Sequence, residues 1–456
     1  MRARHVPALL LASACTVGCA REAADAPPAP RANVLMVVID TLRADGLGLG
    51  GAARPTSPRL DALARESLVV ERSVAQASWT KPSMASIFTS LHPGQHGTVE
   101  ETTANRLAPS LTTLAECFAR GGYHTGGVSE NPHVSPATGF ERGFETLTTL
   151  NGFRGDRAWV VHTARQWLTK HAETRADAPF FLYVHFLDPH GPYEPGPPWR
   201  ERFTDGLTTD QPLVREGKVG PLSEGTELKV ALTPGDVAYL RALYEAEIRE
   251  ADAAVESLLG ELEARGWLAD TVVLVTSDHG EEFLEHDALK HGYQLYEETL
   301  RVPLVLRVPG VAPRREREAT AQHIDLAPTL LELVGLAVPP TFQGRSLVPL
   351  VRGEPLAAAA IVSETSWRGI DLACARLGRH KLIVDRVADR ELLFDLVDDP
   401  AETRDRLADE PAVAGRLRSA IERAETPPAG VTLQGLEGHV DPAAEQALKA
   451  IGYFGK

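Results

Sequence analysis

Short apolar runs closed by polar residues set the rhythm of the first two thirds of this chain. Val34-Leu35-Met36-Val37-Val38-Ile39 ends at Asp40, and Phe180-Phe181-Leu182-Tyr183-Val184 leads into His185 and then Asp188-Pro189-His190. Val272-Val273-Leu274-Val275-Thr276 ends at Ser277-Asp278-His279-Gly280, and a shorter run, Thr125-Gly126-Gly127-Val128, precedes Asn131. Near-continuous apolarity marks strands buried on both faces, as in a parallel sheet with helices on either side. Helical spacing fills the intervals. The clearest helix opens at Thr233-Pro234, a capping residue followed by proline at the first helical position. It repeats Val237, Leu240, Tyr244, Ile248, Val255, Leu258 and Leu262 before Gly266. Residues 199–232 are polar, with several glycines and prolines, and predict an irregular insertion near the strand ends. Beyond Gly344 the pattern shortens: Lys381-Leu382-Ile383-Val384 and Glu391-Leu392-Leu393-Phe394-Asp395 predict strands of a small second sheet. The expected fold class is α/β: a large, mostly parallel central sheet flanked by helices, plus a small C-terminal α+β subdomain.

At 456 residues, 43% apolar and 24% charged, the chain can bury a large core and falls among globular proteins. The formal charge of −15 argues against nucleic acid as a partner, because phosphate backbones need a basic surface. An anionic substrate would have to meet positive charge inside the site itself. The first residues form a targeting segment: Arg2, Arg4 and His5 are a basic start and Ala8-Leu9-Leu10-Leu11-Ala12 a short apolar stretch. Thr16-Val17-Gly18-Cys19 then resembles a bacterial lipoprotein cleavage box, although Thr16 replaces the usual Leu and leaves an ordinary secretory signal as the alternative. A signal peptide over 1–18, an Ala/Pro-rich tether over 19–32 and a periplasmic or cell-envelope location are expected. The only expected membrane attachment is a lipid on Cys19, since the apolar stretch falls far short of the roughly 20 residues of a spanning helix. Cys15 and Cys19 belong to this segment, so only Cys117 and Cys374 remain to pair.

In open α/β sheets, ligands collect beyond the carboxyl ends of the strands. Asp40, Asp278, His279, Asp188 and His190 all fall there. Thr80, in Ser78-Trp79-Thr80-Lys81-Pro82-Ser83-Met84, stands at the start of a predicted helix, where the dipole favours an oxygen nucleophile and the anion it attacks. A Thr hydroxyl is a weak nucleophile and needs a base or a metal. A divalent ion on Asp40, Asp278 and His279 would activate it and neutralise a sulfuryl or phosphoryl oxygen. The bland reading of Thr80 alone is a plain helix cap.

The chain resembles the sulfatase family of the alkaline phosphatase superfamily. The resemblance runs through Asp40-Thr41-Leu42-Arg43-Ala44-Asp45, Pro55-Thr56-Ser57-Pro58-Arg59-Leu60, Trp79-Thr80-Lys81-Pro82-Ser83 and Asp188-Pro189-His190-Gly191-Pro192-Tyr193. It continues through Ser277-Asp278-His279-Gly280-Glu281-Glu282, Lys290-His291-Gly292, Leu295-Tyr296-Glu297-Glu298, Asp325-Leu326-Ala327-Pro328-Thr329 and Phe394-Asp395-Leu396-Val397-Asp398-Asp399-Pro400. It implies a sulfatase-like catalytic domain over 33–345, the small C-terminal subdomain over 346–425 and a tail over 426–456. It also implies metal ligation by Asp40, Thr80, Asp278 and His279, with Thr80 as nucleophile. His190 and Lys290, or His291 in place of Lys290, would contact the anion or protonate the leaving group. Glu282 and His286 are expected to be supporting or structural.

Three departures qualify the resemblance. Authentic sulfatases carry at position 80 a Cys or Ser that is oxidised to formylglycine, and Thr cannot yield that aldehyde because its β-carbon bears a methyl group. The Arg usual four residues later is Met84. Thr41 replaces a second Asp, and His279 stands where many arylsulfatases have Asn. An imidazole among fewer carboxylates shifts the expected ion from Ca²⁺ toward Zn²⁺ or Mn²⁺. Whether Asp188, His190 and His291 bind a second metal stays open. The expected function is metal-dependent hydrolysis of sulfate or phosphate esters, an anionic ester being the partner. The alternatives are a phosphodiesterase or phospho-group transferase acting on envelope glycans or lipids, and a catalytically inactive binding protein.

Overall fold

In the computed structural model, which describes residues 31–150, 156–433, 438 and 440–450, the first apolar run becomes strand β1 (Asn33–Ile39) at the heart of a nine-stranded sheet. The leader over 1–18 and Cys19 lie outside the described residues. The other strands are β2 (Leu68–Val74), β3 (His124–Ser129), β4 (Thr146–Thr149), β5 (Phe180–Phe186), β6 (Thr271–Thr276), β7 (Arg301–Val302), β8 (Leu304–Arg307) and β9 (Arg314–Gln322). Their order is β7-β2-β8-β6-β1-β5-β3-β4, with β9 added beside β2. The pairs from β6 through β1, β5 and β3 to β4 are parallel; β8 and β7 run antiparallel to their neighbours.

β1 shows why the runs are continuously apolar. Val34, Met36 and Val38 enter one core with Met84, Phe88 and Leu330, while Leu35, Val37 and Ile39 enter the other with Leu240, Tyr244 and Ile248. The first of these cores contains helix α1 (Thr80–Thr89), every residue of which is buried. The second contains helix α2 (Pro234–Ala264), which opens with a reciprocal cap between Thr233 and Asp236: Asp236 N–H donates to Thr233 Oγ1 at 3.2 Å and Thr233 N–H to Asp236 Oδ2 at 2.8 Å. Cys117 and Cys374 are buried free thiols.

The C-terminal strands β10 (Ile361–Trp367), β11 (Ile370–Leu377), β12 (His380–Asp385) and β13 (Arg390–Asp395) form an antiparallel meander. Helix α3 (Pro411–Glu425) covers one face, packing Leu417 and Ile421 with Leu382 and Leu393. β10 is stitched to the segment between β2 and α1: Glu364 N–H donates to Gln76 O at 2.9 Å and Ser363 Oγ to Ala75 O at 2.6 Å. The 199–232 stretch holds two short helices, Trp199–Phe203 and Pro212–Arg215, and the small hairpin Ser223–Glu224/Glu227–Leu228.

Candidate active site

Strand register brings the chemistry together. Val38 lies opposite both His185 and Thr276, and His185 lies opposite Ser129, so four adjacent strands end in step. Asp40, Asn131 and Asp278 each follow two residues past these aligned positions. Asn131 Nδ2 donates to Asp40 Oδ2 at 2.5 Å and to Thr80 Oγ1 at 3.2 Å. Thr80 Oγ1 lies 3.3 Å from His279 Nε2, which is 3.3 Å from Asp278 Oδ2 and 3.8 Å from Asp40 Oδ1. His185 Nε2 is 3.5 Å from Asp40 Oδ2. All six side chains are sealed from solvent. Asp40, Thr80, Asp278 and His279 therefore meet, joined by Asn131 and by His185, to which the sequence had assigned no role.

Thr80 is the first residue of α1, and the cap position belongs to Trp79. Ser83, in the first turn, donates its only hydroxyl proton to Asp278 O at 2.5 Å, so it must accept from His323 Nδ1 at 2.9 Å. This clamp fixes the start of the helix against the Asp278 backbone.

Hydrogen bonding also sets the imidazoles. His279 Nδ1 faces the Gly280 carbonyl at 2.9 Å, His190 Nδ1 the Gly191 carbonyl at 2.7 Å, and His291 Nδ1 the Glu281 carboxylate at 2.9 Å. These partners accept, so each Nδ1 carries the hydrogen, and a neutral ring then presents Nε2 as a lone pair. For His279 that lone pair points at the oxygens of Asp278 and Asp40. Asp40 Oδ1 and Asp278 Oδ2 are buried with no hydrogen-bond partner among the described residues. Three electron-rich atoms crowded together in a dry site repel unless a cation or proton lies among them. Among the described residues, Asp40, His185 and Asp278 also bring ligand atoms within 4.8 Å of one another. His185 Nδ1 sits 2.8 Å from the Tyr183 hydroxyl, the outer hydrogen bond expected of a metal-binding histidine. The donor set fits a divalent ion.

The two carboxylates titrate against each other. Burial and the Asp40 charge push Asp278 up, whereas Asp40, despite burial, is held below the ordinary range by His185, His190 and His279. A bound dication would remove that conflict by favouring the ionised form of both.

Residues 32–336 match the sulfatase family model, and residues 285–425 match the model described as N-sulphoglucosamine sulphohydrolase, C-terminal. The chain belongs to the sulfatase family. It is 26% identical to the multifunctional alkaline phosphatase superfamily protein PehA of Trinickia caryophylli, covering 86% of this chain and 94% of that one. It is 27% identical to the choline-sulfatase of Rhizobium meliloti (strain 1021), covering 81% of each. The phosphonate monoester hydrolase of Agrobacterium radiobacter shares its fold, with a TM-score of 0.72 at 23% identity over 86% of this chain and 96% of that one. The protein is thus a sulfatase-family ester hydrolase of the alkaline phosphatase superfamily, with a candidate metal site.

Around this sulfatase-family centre the remaining candidates part company. The rings of His190 and His291 lie 5.0 Å apart, and that of His291 lies 4.4 Å from His279. Glu281, which fixes His291, receives the Tyr193 hydroxyl at 3.1 Å. Burial, then the neighbouring His279 and His190, depress His291 well below the usual histidine range. Lys290 has φ +79° and turns its ammonium toward the insertion, donating to Ser223 O at 3.1 Å. Asp188 is ion-paired with Arg157, which also holds Glu250, so its carboxylate serves that pairing. His286 stacks on Tyr296 at 3.6 Å and bonds Glu298. Glu282 is fully buried, and burial drives its carboxyl well up. Met84 fills the apolar core, so the cation usual at that position has no counterpart there.

Proposed function

We propose that this protein is a metal-dependent hydrolase of sulfate- or phosphate-type esters in which the unmodified Thr80 hydroxyl attacks the ester. One observation carries the reading: Thr80 Oγ1 meets His279 Nε2, which lies 3.3 Å from Asp278 Oδ2 and 3.8 Å from Asp40 Oδ1, two buried oxygens with no hydrogen-bond partner among the described residues. Asp40, Asp278, His279 and His185 would hold a divalent ion, which when bound supplies positive charge that lowers the hydroxyl pKa and neutralises ester oxygens. An imidazole-containing set favours Zn²⁺ or Mn²⁺ over Ca²⁺.

The residues themselves do the rest. Asn131 orients the Thr80 oxygen by donating to it, and the N-terminal end of α1 favours the anion under attack. Oγ1 forms a bond to sulfur or phosphorus while the bond to the leaving oxygen breaks, and the Thr80 proton passes to the Nε2 lone pair of His190 or His291. The Nδ1 atoms of these rings are occupied, so Nε2 makes both transfers, returning the proton taken from Thr80 to the leaving oxygen. Lys290 is the competing donor. Water then hydrolyses the Thr80 ester and restores the hydroxyl. The absence of a cation at Met84 and the Asp-Thr-Asp-His donor set favour phosphate-type substrates, while similarity to a choline-sulfatase supports sulfate esters. The leader supports an envelope location, which lipid labelling of Cys19 tests.

Thr80→Ala, Thr80→Ser and wild type assayed on aryl sulfate, phosphate monoester, phosphate diester and phosphonate ester with each metal test the mechanism. Turnover should vanish in the Ala variant and persist in part in the Ser variant. Undiminished turnover by Thr80→Ala removes the nucleophile.

A further inference from the structure

A groove of about 360 Å³ lies where β2, β7 and β9 meet the C-terminal sheet. It shares no residue with the centre around Asp40, and β2 stands three places from β1 in the sheet, roughly 14 Å at the usual strand spacing. Arg72 sits on β2 between Val70 and Val74, which share its face of the strand and are buried. Where alternation calls for a third apolar residue the chain places a half-buried guanidinium, and it has no hydrogen bond or ion pair among the described residues. Arg301, opposite Val74, donates Nε to the Glu71 carbonyl at 3.3 Å, the one hydrogen bond of its guanidinium among the described residues. Arg376, buried on β11, gives Nη1 to Glu297 Oε2 at 2.8 Å, while its buried Nε has no partner among the described residues. The carboxylates nearby are each matched by two cations: Glu71 by Arg315 and Arg317, and Glu297 by Arg376 and Lys381. Glu318, the remaining carboxylate of the lining, is exposed. The buried Lys81 ammonium shows what a satisfied cation looks like in this fold, donating to the carbonyls of Glu100, Thr102 and Asn105 at 2.5, 2.7 and 2.8 Å.

Charge along an exposed edge strand keeps sheets from pairing edge to edge, and that accounts for Arg315 and Arg317 on β9. It gives no reason for Arg72, on a strand flanked on both sides, or for the recessed Nε of Arg376. Nor does composition, since the chain as a whole carries −15. Guanidinium N–H groups left open side by side in a groove match a tetrahedral oxyanion, whose oxygens accept from several donors at once. We propose that Arg72, Arg301 and Arg376 form a site for a sulfate or phosphate group, separate from the Asp40 centre. Such a group has two sources, the free ion and a substituent of an anionic polymer. The inference stands on these arginines alone and does not use the hydrolase reading of Thr80.

The test titrates inorganic sulfate, inorganic phosphate and dextran sulfate, with neutral dextran as control, into wild type, Arg72→Ala and Arg301→Ala by calorimetry at low ionic strength. Anions also reach the Asp40 centre, so the reading is the binding that the variants lose. Affinity at the groove should fall roughly 10- to 100-fold in each variant, as loss of a charge-assisted hydrogen bond implies, while inhibition of aryl ester turnover by the same ions keeps its wild-type value. Urea midpoints report whether each variant folds. Arg72→Ala breaks no hydrogen bond or ion pair among the described residues, so it keeps the test decisive should Arg301→Ala fail to fold. Arg72-dependent binding of the free ions supports the site and assigns it to them; dependence seen with dextran sulfate alone supports it and assigns it to a polymer substituent. Binding of every ligand that is unchanged in Arg72→Ala, or absent from wild type, overturns the site.

Discussion

Replacing Gly292 with alanine would drive a methyl group into the Trp367 ring. A Cβ at this position stands 1.9 and 2.0 Å from ring carbons Cε3 and Cζ3, about half an ordinary carbon contact, and the residue holds φ +89°. Left-handed backbone costs an L-residue about 1–2 kcal/mol. Clearing the clash shifts a ring stacked on both Trp79 and Tyr293, and each stack is worth about 0.5–1.5 kcal/mol. The sum is roughly 2–5 kcal/mol of lost stability, a large fraction of what a domain has. Because Trp79 precedes Thr80, the shift should also reach the proposed nucleophile, where a misplacement of about 1 Å can cost ~100-fold in turnover. Urea midpoints and kcat on an aryl ester measure both effects. A double-mutant cycle with Trp367→Ala isolates the cause: in that background Gly292→Ala should retain only the backbone term. Wild-type stability and turnover in Gly292→Ala, or full additivity in the cycle, would refute the reasoning.

Further outcomes follow from the same geometry. His185→Ala should weaken divalent metal retention at least tenfold in dialysis followed by elemental analysis, because it removes one of three converging ligand atoms; unaltered retention would exclude it as a ligand. Asn131→Ala should lower kcat roughly 10- to 100-fold with little change in KM, since it orients Thr80 and Asp40 at once; a change confined to KM would place Asn131 in substrate binding instead. Burial pushes the Glu364 carboxyl up to about 7 against the pull of Arg386. A folded pKa above the unfolded one contributes stability that is complete below about pH 4.3 and is lost as pH rises through 7, roughly 4 kcal/mol at most. Glu364→Gln should therefore flatten the decline in urea midpoint between about pH 4.3 and 7, and an equally steep decline would count against this assignment.

The most legible parts of the fold were those where burial is symmetrical. β1, β5 and β6 lie between two cores, so each strand reads as an unbroken apolar run, and its end points to Asp40, Asp278 and His279. The helix from Pro234 was equally plain, since its capping pair and apolar stripe are local signals. β9 carried no such sign: Arg314–Gln322 lies beside β2, largely open to solvent, and its charged residues hide the pairing. His185 carries no strand-end signal because it is the penultimate residue of β5, inside the strand rather than past it, although Tyr183 two residues earlier marks the same face. Asn131 and Trp367 reach the site only through sheet order and the docking of a separate sheet, which no local spacing records. One left-handed residue, Lys290, sends its side chain and that of His291 to different places, which residue spacing alone does not record.

Lys81 has a consequence for anyone who would retarget this enzyme. Its ammonium, one residue after Thr80, grips three carbonyls of the 100–105 segment. Grafting a foreign loop there would pull on the same peptide that carries Thr80, the proposed nucleophile. On that reading loop and hydroxyl are mechanically yoked, and a successful redesign has to keep those three carbonyls where they are while varying what lies between them.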